Sequence, residues 1–242
     1  MNKPINNYVH TKDVHNTQAA EHFLPILFEH IQPKSVADVG CGLGTWLKVL
    51  QNMGVNEVLG IDGNYIDQSN LQIDAEDFLL HDLTKPLIYS RKFDLAICLE
   101  VAEHLPEEAS KIIVNTLTNL SETILFSAAL PRQGGQNHIN EQPFSYWVER
   151  FNKRGYLVKD VFRNEIWQNE NIDWWYRQNM FLVVKDYGMQ LPISDFYHPN
   201  RYHQIVLEME KANQNLQNIN NGKISFLKAV KILVKSFIQF GK

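Results

Sequence analysis

The chain has 242 residues, 44% of them hydrophobic and 21% charged, which suits one globular domain with a modest extension and excludes a disordered or collagen-like chain. Its two cysteines, Cys41 and Cys98, are too few for a disulfide framework and too isolated for a zinc cluster; at this length roughly 70–75% of the unfolded surface can be buried, so a core needs neither. The formal charge of −4 hides an asymmetry: from Lys223 onward there are five lysines and no acid, and residues 1–222 carry 18 basic against 27 acidic groups, an acidic body that does not suggest a nucleic-acid groove.

The opening residues MNKPINNYVH hold no apolar targeting core, and no run of about 18 apolar residues occurs, so the expectation is a cytoplasmic protein without a membrane span. Residues 16–31 read as a helix, apolar at Ala20, Phe23, Leu24, Leu27, Phe28 and Ile31 and bent at Pro25. A short apolar strand over 35–39, a glycine-rich turn, a helix over 45–53 ending near Gly54 and a strand over 57–61 closing on Asp62 follow. This alternation predicts parallel βαβ units. Strands are expected next over 77–80 and 93–99, the second buried on both faces. A helix opens at Pro106 with Glu107 and Glu108 at its positive end and runs to about Leu120. The remaining elements are a strand over 123–127, a long loop containing Gly134 and Gly135, a helix over 143–153, and two last strands over 157–162 and 180–185.

The turn V-A-D-V-G-C-G-L-G-T-W-L, residues 36–47, is the most informative stretch. Gly40, Gly42 and Gly44 suit a chain that turns sharply and lets a ligand approach backbone with no Cβ in the way. A tight turn with no ligand is the plainer reading. Asp62, twenty residues beyond Gly42 at the end of the next strand, is placed to accept hydrogen bonds from both hydroxyls of a ribose, though Asp-Gly is also a turn dipeptide. A dinucleotide fingerprint wants a third glycine where Thr45 stands. Asp38, two residues before Gly40, would repel a pyrophosphate but hold a cation or an ammonium, so the charges favour a ligand with a positive end.

These residues resemble the class I S-adenosylmethionine-dependent methyltransferases over about residues 20–185. Four motifs carry the resemblance: DVGCGLG from Asp38 through Gly40, Cys41 and Gly42 to Gly44; Asp62 with Gly63 and Asn64; HDL, comprising His81, Asp82 and Leu83; and CLEVAEHL, residues 98–105, with Glu100, Glu103 and His104. The resemblance implies that the first motif lies against the methionine part and sugar of S-adenosylmethionine and that Asp62 binds the ribose hydroxyls. It places Gly63, Asn64, Asp82 and Leu83 around the adenine and gives Glu100 a cofactor contact. It also implies an α/β, Rossmann-like, doubly wound sheet of seven strands, the last antiparallel, with helices on both faces.

Methyl transfer needs the acceptor positioned and water excluded, and a hydroxyl acceptor also needs a base. Glu103 and His104, before the helix near Pro106, are candidates, although His104 could equally cap that helix. The loop over 131–147 gathers Gln133, Asn137, His138, Asn140, Glu141 and Gln142, a density of hydrogen-bonding groups that suits a small polyol or glycan acceptor; His138 is the favoured general base. Trp167, Trp174, Trp175, Tyr176 and Arg177 could stack on an acceptor and hold a charged group, or form a buried plug. His10 with His15, and His198 with His203, lack accompanying ligands at metal spacing, and no metal is expected. A nicotinamide-dependent oxidoreductase and a non-catalytic cofactor-binding subunit are the alternative functions.

The domain expectation is a catalytic body over 1–195 and a helical C-terminal extension over 196–242. A helix over about 202–216 leads to a basic amphipathic helix over 223–240, with Lys228, Lys231 and Lys235 on one side and Phe226, Leu233, Phe237 and Phe240 on the other. Such a helix suits peripheral contact with an anionic membrane, or packing on the body or on a second copy.

Overall fold

In the computed structural model the described residues are 16–186 together with Leu207, Lys211, Asn213, Gln214, Gln217 and Asn218, all six helical. The chain divides into two units, Met1–Phe196 and Tyr197–Lys242. Most of the helix expected over 202–216, and all of the basic tail, lie outside the described residues. Among those described, no helix is long and apolar enough to cross a membrane.

The first unit is built around seven strands: β1 (Ser35–Val39), β2 (Glu57–Asp62), β3 (Phe78–Leu80), β4 (Leu95–Leu99), β5 (Thr123–Ser127), β6 (Tyr156–Lys159) and β7 (Phe181–Lys185). Their order is β3-β2-β1-β4-β5-β7-β6. The pairs among β1 to β5 are parallel, and β7 runs antiparallel to both β5 and β6. This is the Rossmann-like doubly wound sheet with an inserted antiparallel strand that the sequence predicts. The β1 and β4 strands are buried at every position, as a sheet covered on both faces requires.

Helices α1 (Gln18–His30) and α2 (Thr45–Asn52) cover one face, and α3 (Ser110–Leu120) and α4 (Phe144–Asn152) the other. Strand alternation divides the core between them: Val36 and Ile97 pack with Phe23, Leu24, Leu47 and Leu50, while Ala37 and Cys98 pack with Ile113, Leu117, Trp147 and Phe151. Full burial of each such large side chain is worth about 1.5–3 kcal/mol. Pro25 stays inside α1.

Several boundaries differ from expectation by a residue or two, and three differences have a visible structural form. The helix expected from Pro106 starts with a 3-10 turn, Glu107–Ala109, before α3. The strand expected over 157–162 ends at Lys159, because Phe162 leaves the sheet to pack edge-on against Phe23 at 5.0 Å while Arg163 folds back on Asp160 at 2.8 Å. The aromatic insertion before β7 forms two short helices, α5 (Arg163–Ile166) and α6 (Trp174–Asn179). Strand order reverses between β1 and β4, and in open α/β sheets that crevice at the carboxyl ends of the strands is where ligands bind.

Candidate functional site

A cavity of about 430 Å³ opens at this crevice, and Asp38, Gly40, Asp62, Glu103, His104 and His138 all border it. Its first wall is the glycine turn. Gly40, Gly42 and Gly44 have φ of 83°, 55° and 78°, the left-handed region that side chains rarely enter. A Cβ on Gly40 would stand 2.4 Å from Val101, so this position needs glycine for space as well as for conformation. The turn is fixed to β2: Gly40 N donates to Ile61 O at 2.7 Å and Gly42 N to Asp62 Oδ2 at 2.7 Å. Asp62 Oδ1 accepts from Gly63 N at 2.7 Å and from the Tyr65 hydroxyl. The carboxylate is therefore held in place by two backbone amides, and a hydroxyl group lies on it.

Asp38 lies buried beneath the turn. Burial, and then the neighbouring Asp62 carboxylate, pushes its pKa up to about 8. A cation placed against it would oppose both effects by favouring the ionised form. Among the described residues the cavity lining includes Asp38, Asp62, Glu100 and Glu103 but no lysine or arginine, so the cavity suits a positively charged ligand.

The opposite wall is gathered from distant segments. Glu100 follows β4 with φ 54°, a costly conformation for a non-glycine residue that persists where the surroundings enforce it. Its amide donates to Ser127 Oγ at 3.0 Å, and its carboxylate accepts from Gln133 Nε2 at 3.0 Å and from Asn179 Nδ2 at 3.0 and 3.2 Å. Burial raises the Glu100 pKa, opposed by the bonds from Asn179 and Ser127 and by His138. Glu103 is fully buried, and burial followed by the Glu100 carboxylate drives its pKa well up.

His138 is brought to Glu103 by backbone pinning: Ile139 N and Asn140 N both donate to Glu103 O, at 2.9 and 3.0 Å. The buried Asn140 side chain completes the clasp by donating to Ala102 O at 3.3 Å and Ser110 Oγ at 3.1 Å. Glu141 accepts from Arg132 N and Gly134 N, both at 2.6 Å, and pairs with His138 Nδ1 at 3.0 Å. Burial raises the Glu141 pKa, but these bonds outweigh it and hold the carboxyl below its ordinary range. The His104 and His138 rings meet edge to face at 4.8 Å.

Of the residues singled out in the sequence, Asp38, Gly40, Cys41, Gly42, Asp62, Glu100, Glu103, His104 and His138 do converge on the cavity. Others do not. Gly44 caps α2, and Gly63 lies beneath the Tyr65 ring. Asp82 is exposed and accepts from Thr84 N at 2.9 Å and Thr84 Oγ1 at 2.7 Å, while Leu83 packs in the core. Cys98 is likewise a core residue; burial raises both thiol pKa values, Cys41 included. Trp174, Trp175 and Tyr176 border the cavity, whereas Trp167 does not. Arg177, offered in sequence to a charged acceptor, is buried and donates to Trp167 O at 2.9 Å. Sequence reasoning missed Tyr65, Gln178 and Asn179. The last two are fully buried amides tied to Gln133, at 3.2 and 2.9 Å, and their only sequence signal is polarity immediately before an apolar strand.

Residues 13–185 match a family described as a methyltransferase domain. A ubiquinone biosynthesis O-methyltransferase of Stutzerimonas stutzeri (strain A1501) is 30% identical over 132 residues, covering 49% of this chain and 50% of that protein. One of Actinobacillus pleuropneumoniae serotype 7 (strain AP76) is 29% identical over 105 residues, covering 36% and 45%. The chain thus spans about half the length of the curated relatives it matches. Among solved structures, the methyltransferase domain of bacterial CtHen1-CN aligns with 70% of this chain and 98% of its own, at a TM-score of 0.52 and 19% identity. Magnesium protoporphyrin IX methyltransferase (ChlM) from Synechocystis PCC 6803, with bound SAH, aligns over 75% and 90% at 0.50 and 18%. These two share the fold.

Proposed function

The chain belongs to the class I S-adenosylmethionine-dependent methyltransferases, and on that premise we propose that it methylates a hydroxyl oxygen of a small-molecule or saccharide acceptor. Membership displaces the nicotinamide alternative. The observation that carries the proposal is the His138–Glu141 pair at 3.0 Å, set beside Glu103 and His104 on the cavity that Asp38 and Asp62 border. The relatives named O-methyltransferases agree with oxygen as the acceptor atom.

The residues present fit the cofactor: an anchored carboxylate for a diol, a backbone turn without Cβ atoms, and a buried acid that gains from a cation. In this reading Asp62 holds the ribose hydroxyls, displacing the Tyr65 hydroxyl, and Asp38 holds the ammonium end. Cys41 and the amides of the 40–44 turn flank the sugar and methionine. When bound, S-adenosylmethionine supplies an electrophilic methyl group on a sulfonium. Of the other cofactor positions, Glu100 borders the cavity, whereas Gly44, Gly63, Asp82 and Leu83 act through the shape of the turns that carry them.

Glu141 fixes His138 through Nδ1, leaving Nε2 to take the proton of the acceptor hydroxyl, a role that contributes about 10²–10⁴-fold in rate. Trp174, Trp175 and Tyr176 close the cavity against water and offer ring faces to the acceptor. Labelled methyl transfer into panels of hydroxylated aromatics and saccharides, with mass spectrometry of the products, tests this reading. A base-stable methyl ether is the expected product, and methylation confined to nitrogen or sulfur would overturn it. For the tail, flotation of full-length protein with anionic liposomes against a chain ending at Asn221 tests the membrane reading, and sedimentation tests self-association; equal behaviour of the two forms would remove both.

A further inference from the structure

Within the cavity, one carboxylate oxygen of Glu103 and one ring nitrogen each of His104 and His138 lie within 4.8 Å of one another. Donor atoms about 2.1 Å from a shared ion stand roughly 3–4 Å apart, so side-chain adjustment of about an ångström closes the set. Glu103 is fully buried, and the groups its carboxyl meets are its own amide, the Ala129 amide and the Glu100 carboxyl, none of them a cation. Two buried acids side by side call for a shared proton or a cation, and among the described residues no lysine or arginine borders the cavity. The positive end of the cofactor is taken by Asp38 in the reading above, leaving Glu103 still unmatched.

His138 shows the second sign of a ligand site. Its Nδ1 is held by Glu141 at 3.0 Å, and Glu141 is itself fixed by two backbone amides at 2.6 Å. A carboxylate behind one imidazole nitrogen is the arrangement that orients a metal-binding histidine and leaves Nε2 for the ion. The carboxylate behind His138 thus already stands where an ion on Nε2 would need it.

We infer that Glu103, His104 and His138 form a site for one divalent first-row transition metal ion. Two imidazoles and one carboxylate suit manganese, iron, cobalt or zinc rather than the all-oxygen shells of calcium and magnesium. Three protein ligands leave coordination positions open. There the acceptor hydroxyl binds the ion and loses its proton to water, the ion's charge stabilising the resulting alkoxide, which is the nucleophile. His138 Nε2 then holds the ion rather than the proton. This acceptor role rests on the proposed O-methylation; ion binding does not. No metal spacing is visible in the sequence because His104 and His138 are 34 positions apart and meet only through the pinning of Ile139 and Asn140 to Glu103.

The test uses untagged full-length protein, stripped with chelator and titrated separately with Co²⁺, Mn²⁺ and Zn²⁺. Retained metal is measured by mass spectrometry, and the Co²⁺ form by its visible absorption. One equivalent per chain is expected. Glu103→Gln and His138→Gln are each expected to weaken retention at least tenfold while S-adenosylmethionine affinity, which also reports that the variant is folded, stays within twofold. If Glu103→Gln fails to fold, His138→Gln carries the comparison. Stripped protein that takes up no ion, or folded variants that take it up as tightly as the wild type, would overturn the site. Ion binding without hydroxyl methylation would keep the site and remove its acceptor role; chelator-insensitive methyl-ether formation without ion uptake would remove the site and keep the O-methylation.

Discussion

The two walls of the cavity are constructed differently. Residues 38–63 form the cofactor wall from one glycine turn and the strand beside it, tied by Gly42 N to Asp62 Oδ2 at 2.7 Å. The acceptor wall draws Glu103, His138 and Trp175 from segments far apart in the chain, and relies on side-chain amides such as the buried Asn179 behind Glu100 and on a loop pinned to the Glu103 carbonyl. Local geometry thus sets one wall and long-range hydrogen bonding the other. Changes on the first should alter cofactor affinity, and changes on the second should alter turnover.

The largest expected separation comes from His138→Gln. Turnover at saturating cofactor should fall about 10²–10⁴-fold, with the calorimetric Kd for S-adenosylmethionine within twofold of wild type. Next, Asp62→Ala removes a charged acceptor of the ribose hydroxyls, worth about 1.5–3 kcal/mol; the Kd should weaken about 10- to 150-fold while kcat at saturation changes little. A fall in kcat as large as that in affinity would break the comparison.

Asp38 sharpens it through pH. Its pKa is pushed up to about 8 in the ligand-free protein, whereas a cationic ligand favours the ionised form. Binding below pH 8 therefore releases a proton. Affinity should rise with pH by up to about tenfold per unit below pH 8 and fall again once the ligand's own ammonium loses its proton, and Asp38→Asn should flatten the rising limb in parallel titrations. The smallest effect is expected at the loop clasp. Asn140→Ala loses the bonds to Ala102 O and Ser110 Oγ, costing about 1–3 kcal/mol of stability. Thermal unfolding should show this, with kcat lowered and cofactor Kd unchanged.

The same contrast explains what the sequence reveals. Gly40, Gly42, Asp38 and Asp62 are legible because a strand, a turn and the next strand lie within one short stretch, and each residue type has a local physical reason to be there. The sheet order follows from the same βαβ alternation. On the acceptor wall, sequence marks His138 and the Glu103–His104 pair as chemically capable but cannot show that they meet, because the contact depends on Asn140 and on the Glu103 carbonyl. Gln178 and Asn179 read only as polar residues before β7, and Phe162 reads as strand because its edge-on contact with Phe23 is invisible to periodicity.

The most direct test of the account is a single-turnover assay on cofactor-saturated protein with a hydroxylated acceptor, run beside calorimetry on wild type, Asp62→Ala and His138→Gln. Asp62→Ala is expected to lose binding and regain normal transfer once saturated, and His138→Gln to bind normally and fail to transfer. Loss of binding in His138→Gln, or normal transfer by it, would contradict the division of the cavity into a cofactor wall and an acceptor wall.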